Sequence, residues 1–356
     1  AIYVFLGGLS PSFELAATTF RLMQFGLVLQ LIIGGFLIMY MDQVITKWGF
    51  GSGLSLFIVA GVGQEIVVRA FSPLTSSGSF ALGSGEAPVG AVWVFIQSIL
   101  SGNPSGAAIA FFAILFTVVI FVISVYVQSM KVQIPLSFGR VRGHGIRWPL
   151  NFLYTSNIPV ILIVALLANI QLWARLLQSF VEGKTSGFLL WISENIFGQF
   201  AGNSPTGGLA ALASPPNVIE SFITDSFGLS VFLYALGYAL LLIIGSIIFS
   251  YFWVQTSGQD ARNQAKQILA SGLQIPGFRR DERVLESILD RYITPLTIMG
   301  GFAVGFLAAF ADLLGALSRG TGILLAVMII YKLYEDVAKQ HMMDMHPAMR
   351  KMMGEE

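Results

Sequence analysis

The feature that most constrains this chain is a succession of apolar stretches, all but the last long enough in themselves to cross a bilayer as a helix, which takes about 20 residues. They fall at residues 15–41, Gly53–Phe71, 107–130, 150–177, 228–254, 296–317 and 322–333. The first is interrupted only by Arg21, Gln24 and Gln30, and the last continues through Tyr334 and Val337 as an amphipathic end. Backbone amides in lipid must be satisfied within the segment, so spans of this length and composition are helices. Residues 1–8 are apolar without the basic lead of a signal peptide and read as the end of a further helix, so a fragment of a longer protein is expected.

Composition agrees. Only 11% of the 356 residues are charged against 55% apolar. A soluble domain carries about twice that charge to cover its surface, which excludes a water-soluble core, and disorder goes with it. The absence of cysteine excludes disulfides, thiolate metal sites and cysteine nucleophiles.

The connections differ in kind. Residues 72–106 and 178–227 are rich in Gly, Ser and Pro, the second holding an amphipathic piece at 188–197. Residues 131–149 and 255–291 are studded with Arg and Lys. With seven spans, fifteen of the twenty basic residues fall on one side of the membrane. The positive-inside bias makes that side the cytoplasm and places the C-terminus there. Nothing resembles an inter-domain linker, so residues 1–356 read as one membrane domain.

Catalytic or ion-coupled membrane proteins carry costly ionisable groups inside their spans; these spans have almost none. Glu65 and Arg69, four apart, read as a local ion pair. Asp312, near a span end, reads as an interfacial charge within reach of Arg319. His144, His341 and His346 form no zinc pattern and read as solvated. No enzyme and no cofactor are expected. Gly301 and Gly305 have the GxxxG spacing of close helix packing, and Gly49–Gly53 reads as a tight hinge. Pro159 fits either a capped helix start or a helix built to shift against a neighbour. The basic loops serve as topology determinants or as docking surfaces for an anionic partner such as RNA or acidic lipid; spacing leaves both open.

Six separated segments carry a further signal: residues 37–58 (LIMYMDQVITKWGFGSGLSLFI), 134–143 (IPLSFGRVRG), 156–173 (SNIPVILIVALLANIQLW), 252–258 (FWVQTSG), 276–280 (PGFRR) and 320–325 (GTGILL). Together they resemble the SecY family, the central subunit of the protein-conducting channel, in wording closest to its archaeal and eukaryotic branch.

The resemblance implies an all-α, multi-span helical bundle. On the family's ten-helix plan the spans look like helices 4 to 10, preceded by the end of helix 3. Helix 1, the plug, helix 2 and most of helix 3 then have no counterpart here. Residues 1–72 are the remainder of the N-terminal half, and 73–356 the C-terminal half with its basic loops. The resemblance further implies a pore ring that includes Leu54, Ile58, Ile161 and Leu325, and a lateral gate that includes Asn157, Ile158 and Pro159. It implies ribosome contacts at Arg140, Arg142, Arg279, Arg280 and Arg283. Leu54 and Ile58, four apart, share a helical face. Apolar side chains around a pore exclude water and ions by dewetting.

The implied function is translocation of nascent or secretory polypeptides across the cell membrane and release of transmembrane segments into lipid. The implied partners are SecE, the small beta subunit, the ribosome with its RNA, the nascent chain and membrane lipid. The rival reading is a secondary transporter of a small solute, with discontinuous helices lining its site.

Overall fold

The computed structural model describes residues 17–49, 51–75, 77–81, 87–138, 145–155, 158–181, 191–201, 204–270, 273–274 and 281–345. Long helices dominate: α1 (Ala17–Trp48), α2 (Gly53–Phe71), α4 (Pro104–Ser129), α5 (Ile158–Val181), α8 (Leu229–Thr256), α10 (Glu282–Leu313) and α11 (Gly320–Met345). Shorter helices are α3 (Ala91–Leu100), α6 (Gly208–Leu212), α7 (Val218–Ile223) and α9 (Ala261–Ala270). Strands β1 (Lys131–Phe138), β2 (Gly145–Asn151) and β5 (Leu273–Gln274) form a small antiparallel sheet in the order β2-β1-β5; β3 (Phe200–Ala201) pairs with β4 (Ser204–Pro205).

Among the described residues, α1, α2, α4, α5, α8 and α10 are each long and apolar enough to cross a membrane. The seventh expected span is indeed a helix, α11. Lys332, Glu335 and Asp336 fall within its first eighteen residues and keep it amphipathic.

The structure moves several expected boundaries. The span expected from residue 150 begins at Ile158, because Leu150 and Asn151 pair with Val132 and Lys131 in the hairpin. The span expected from residue 296 begins at Glu282. Its polar first half is helical because Leu285, Leu289 and Ile293 recur at fourfold spacing and are buried. The basic stretch 131–149 is largely a β-hairpin, and the Gly/Ser/Pro stretch 72–106 contains α3. Of the expected amphipathic piece, Ser193–Phe197 forms a single π-type turn.

The chain divides into two compact units, Ala1–Gly61 with Ile329–Glu356, and Val62–Met328. In the first, α1 turns into α2 through the hinge read from the sequence. Gly51 has φ +76°, a left-handed conformation that favours glycine. A Cβ on Gly53 would lie 2.9 Å from the Asp42 Cα. Asp42 Oδ1 accepts from the Leu54 amide (2.9 Å) and the Ser52 hydroxyl (3.1 Å), so an acid from α1 caps the start of α2.

In the second unit α10 is the central helix: 56% of its apolar window is buried, against 22% for each of α4, α5 and α8. Gly301 and Gly305 face α8. A Cβ on Gly305 would sit 2.9 Å from the Ile243 Cα and the Leu242 carbonyl; one on Gly301 would sit 3.1 Å from the Ile247 Cα. The GxxxG pair is therefore the seam that lets two backbones meet. One core cluster joins the hairpin to the ends of α8, α9 and α10 through Ile134, Leu150, Val254, Ala265, Leu289 and Ile293. Another, around Val160, Val304, Leu307 and Leu324, joins α5, α10 and α11.

Candidate functional site

The segment entering α5 is fastened before the helix begins. The Tyr154 hydroxyl donates to the Gln259 carbonyl (2.6 Å), and the Thr155 and Ser250 hydroxyls share a hydrogen bond (3.3 Å). Burial, and then the nearby Asp260 carboxylate, push the Tyr154 phenol up to about 12. Pro159 is the second residue of α5, where a missing amide costs little.

From there α5 is two-faced. Val160, Ile163, Leu167 and Ala174 are buried at threefold and fourfold spacing. Ile163 presses on α8 where Gly245 leaves no room for a Cβ. Ile161, Leu162 and Leu166 are apolar yet 38%, 39% and 46% exposed. The expected ring residue Ile161 and the expected gate residues Ile158 and Pro159 thus follow directly from an anchored turn, with Ile161 on the unpacked face. On α11, Ile323 and Leu324 are buried and Leu325 is half-buried. In the first unit, Leu54 is 52% exposed at the start of α2, and Ile58, one turn on, is half-buried.

The start of α11 is set by a group that sequence reading undervalued. Asp312 lies at the end of its span, as expected, and is buried there. Its Oδ1 accepts from the Gly320 amide (2.7 Å) and its Oδ2 from the Tyr238 hydroxyl of α8 (2.6 Å). Glu65 and Arg69 form the expected ion pair (3.1 Å), and Glu65 also accepts from the Ser318 hydroxyl (3.0 Å). The only signal for Asp312 was an acid at the end of an apolar span, eight residues before Gly320; Tyr238 and Thr117, which accepts from the Leu317 amide at 2.9 Å, gave none.

Of the expected docking residues, Arg283 is exposed at the first turn of α10, whose N-terminus Asp281 caps through the Arg283 amide (3.0 Å). It borders a polar depression of about 380 Å³ that also includes Gln255, Asp260, Arg262, Glu286 and Asp290. Arg262 and Lys266 face Glu282 at 4.0 and 3.9 Å. Arg140, Arg142, Arg279, Arg280 and Asn157 lie outside the described residues, as do His144, His346 and residues 1–8. Among the described residues no cluster of three or more His, Asp or Glu side chains could hold a metal ion.

The chain matches the SecY family model over residues 1–334. It is 43% identical over 335 residues to the protein translocase subunit SecY of Pyrococcus furiosus, covering 92% of this chain and 68% of that protein. It is 40% identical over 358 residues to the same subunit of Methanothermobacter thermautotrophicus, covering 99% and 72%. A solved structure described as that of a protein conducting channel superposes with a TM-score of 0.74 at 36% identity, over 98% of this chain and 72% of that one. The solute-transporter alternative gains no support from these likenesses. The chain belongs to the SecY family, as a multi-span membrane subunit of a protein-conducting channel.

Proposed function

We propose that the chain lines a conduit for nascent polypeptides which is sealed at rest by Leu54, Ile58, Ile161 and Leu325. It opens sideways to lipid beside Asn157, Ile158 and Pro159. The observation that carries this reading is the partial exposure of Ile161, an apolar side chain left 38% open one residue after buried Val160, at the start of a helix anchored through Tyr154 and Thr155. Bulky apolar side chains fit around a chain of any sequence and shut out ions when it is absent.

On this reading residues 1–72 and 73–356 are parts of the two halves of one membrane domain. The C-terminus and the segments 131–149 and 255–291 face the cytoplasm, which the fifteen-to-five distribution of basic residues supports. Arg140, Arg142, Arg279, Arg280 and Arg283 meet a ribosome there, ribosomal RNA phosphate supplying a salt-sensitive attraction. SecE and the small beta subunit complete the assembly, and the energy for transport comes from the partner.

The test places a photocrosslinker at Ile161 in the complete translocon and presents a ribosome carrying a stalled secretory chain. A crosslink to the translocating segment is expected, lost when Arg140, Arg142 and Arg279 are changed to Glu. With docking intact, absence of crosslinks from Ile161, Ile58 and Leu325 removes the conduit assignment. Unchanged ribosome affinity and salt dependence after the charge reversals removes the docking assignment.

A further inference from the structure

We infer that Asp312, held by Tyr238, is the positioning residue that sets the height and rotation of Leu325; the inference rests on the reading of Leu325 as a pore residue. Asp312 ends α10 and is buried, a costly place for a carboxylate. Both its oxygens are committed. One accepts from the amide of Gly320, the first residue of α11, and the other from the Tyr238 hydroxyl on α8.

The turn between α10 and α11 is held from two further sides. The Leu317 amide donates to Thr117 of α4, and the Ser318 hydroxyl donates to Glu65 of α2, itself paired with Arg69. Steric contact completes the fixation: a Cβ on Gly320 would lie 2.1 Å from the Ala311 Cβ and 2.7 Å from the Ala308 carbonyl. The first residue of α11 therefore has one available place.

Leu325 follows five residues later, about 7.5 Å along the axis and about 140° around it. A slip of one residue at the helix start moves it about 1.5 Å and turns it about 100°. A seal made of single side chains does not survive that turn. A helix cap alone needs only one acceptor. The second bond, to Tyr238, adds a reference to α8, so the side chain registers α11 against two helices at once.

The test uses the complete translocon in proteoliposomes, reading resting ion leak and the labelling rate of Leu325→Cys by a membrane-impermeant maleimide. Asp312→Ala is expected to raise both about tenfold, the weight of a lost cap and hydrogen bond. Asp312→Asn keeps an acceptor for Gly320, so the seal should return close to normal. Labelling of the buried control Leu307→Cys should stay unchanged, which general loosening would not allow.

Should Asp312→Ala fail to assemble, Tyr238→Phe, which keeps the cap, carries the test through a faster label at Leu325→Cys. Normal leak and labelling in these variants, while Leu325→Gly leaks, overturns the inference. A rise at Leu307→Cys equal to that at Leu325→Cys overturns it as well. A tight Leu325→Gly channel removes the pore reading and this inference with it.

Discussion

Replacing Gly305 with Ala tests whether the α8–α10 seam is as close as the structure makes it. The new methyl would meet the Ile243 Cα and the Leu242 carbonyl at 2.9 Å and the Ser246 Cβ at 3.0 Å. Each is 0.4–0.5 Å short of the 3.4 Å at which ordinary contact begins. Two of the three atoms are backbone and have no rotamer to escape into, so α8 must lift away by roughly half an ångström. A gap of that size forfeits about a quarter or more of the dispersion well along the crossing, and overpacking of this kind costs about 1–3 kcal/mol. Against this, Ala is favoured over Gly inside a helix by about 1 kcal/mol. The steric cost falls on two rigid backbones, so it takes the upper half of its range, and the net loss is about 1–2 kcal/mol. Denaturant titration of the purified translocon, with Gly34→Ala as control, measures it. Gly34 lies inside α1 with nothing within 4 Å of its Cβ position, so the control should show the helix gain alone and be about 1 kcal/mol more stable than the parent. A Gly305→Ala protein as stable as that control would refute the seam.

Three further predictions use the same geometry. Gly245→Ala should destabilise, because its Cβ would meet the Ile163 side chain. Combining it with Ile163→Ala should cost less than the two changes summed, giving a coupling of about 0.5–3 kcal/mol in a double-mutant cycle; strict additivity would separate α5 from α8. Asp42→Ala should cost about 1 kcal/mol by uncapping α2, with Asp42→Asn largely restoring stability in the same titration. Tyr154→Phe should cost about 1 kcal/mol. Because the Tyr154 phenol is raised from 10.0 to about 12, its contribution is fully present below pH 10 and fades as pH rises through 12. Ultraviolet titration should show one phenolate forming late, absent from the Phe variant.

The sequence reading found what period and punctuation encode. Residues Gly53–Phe71 match α2 residue for residue, because glycines open the helix and a Ser-Pro pair follows it. The Gly301–Gly305 spacing announced its own packing. Hydropathy stopped short at α10, since Leu285, Leu289 and Ile293 are interleaved with charges and only a helical projection lines them up. The β-hairpin does carry an alternating apolar pattern, Val132, Ile134, Leu136 and Phe138 in β1 and Ile146, Trp148 and Leu150 in β2, but Pro135, Pro149 and the arginines between these residues drew the reading to a loop. Helix α3 was averaged away inside a Gly/Ser/Pro-rich stretch, although Gly90 and the Asn103–Pro104 start of α4 bracket it. The burial of Asp312 depends on Tyr238, 74 positions away, and no local pattern carries that partner.

The seams also explain why the unpacked residues draw attention. Lipid is as apolar as a leucine side chain, so burial alone does not drive helices together in a membrane, and close backbone approach and hydrogen bonding must do so. Three crossings in the second unit have such a device: Gly301 and Gly305 between α8 and α10, Gly245 under Ile163, and Gly320 with Asp312 between α10 and α11. Where these devices are dense, the neighbouring side chains are buried. Ile161, Leu162 and Leu166 have none, and they stand exposed on a helix whose other face is closed. Membrane solvation accounts for leaving such a face apolar. It does not account for anchoring the turn before it with two polar contacts, through Tyr154 and Thr155. A lipid-facing surface has no need of fixed register. A surface that must close around nothing and open around a polypeptide does, so the anchoring of α5 argues for the conduit more strongly than its hydrophobicity.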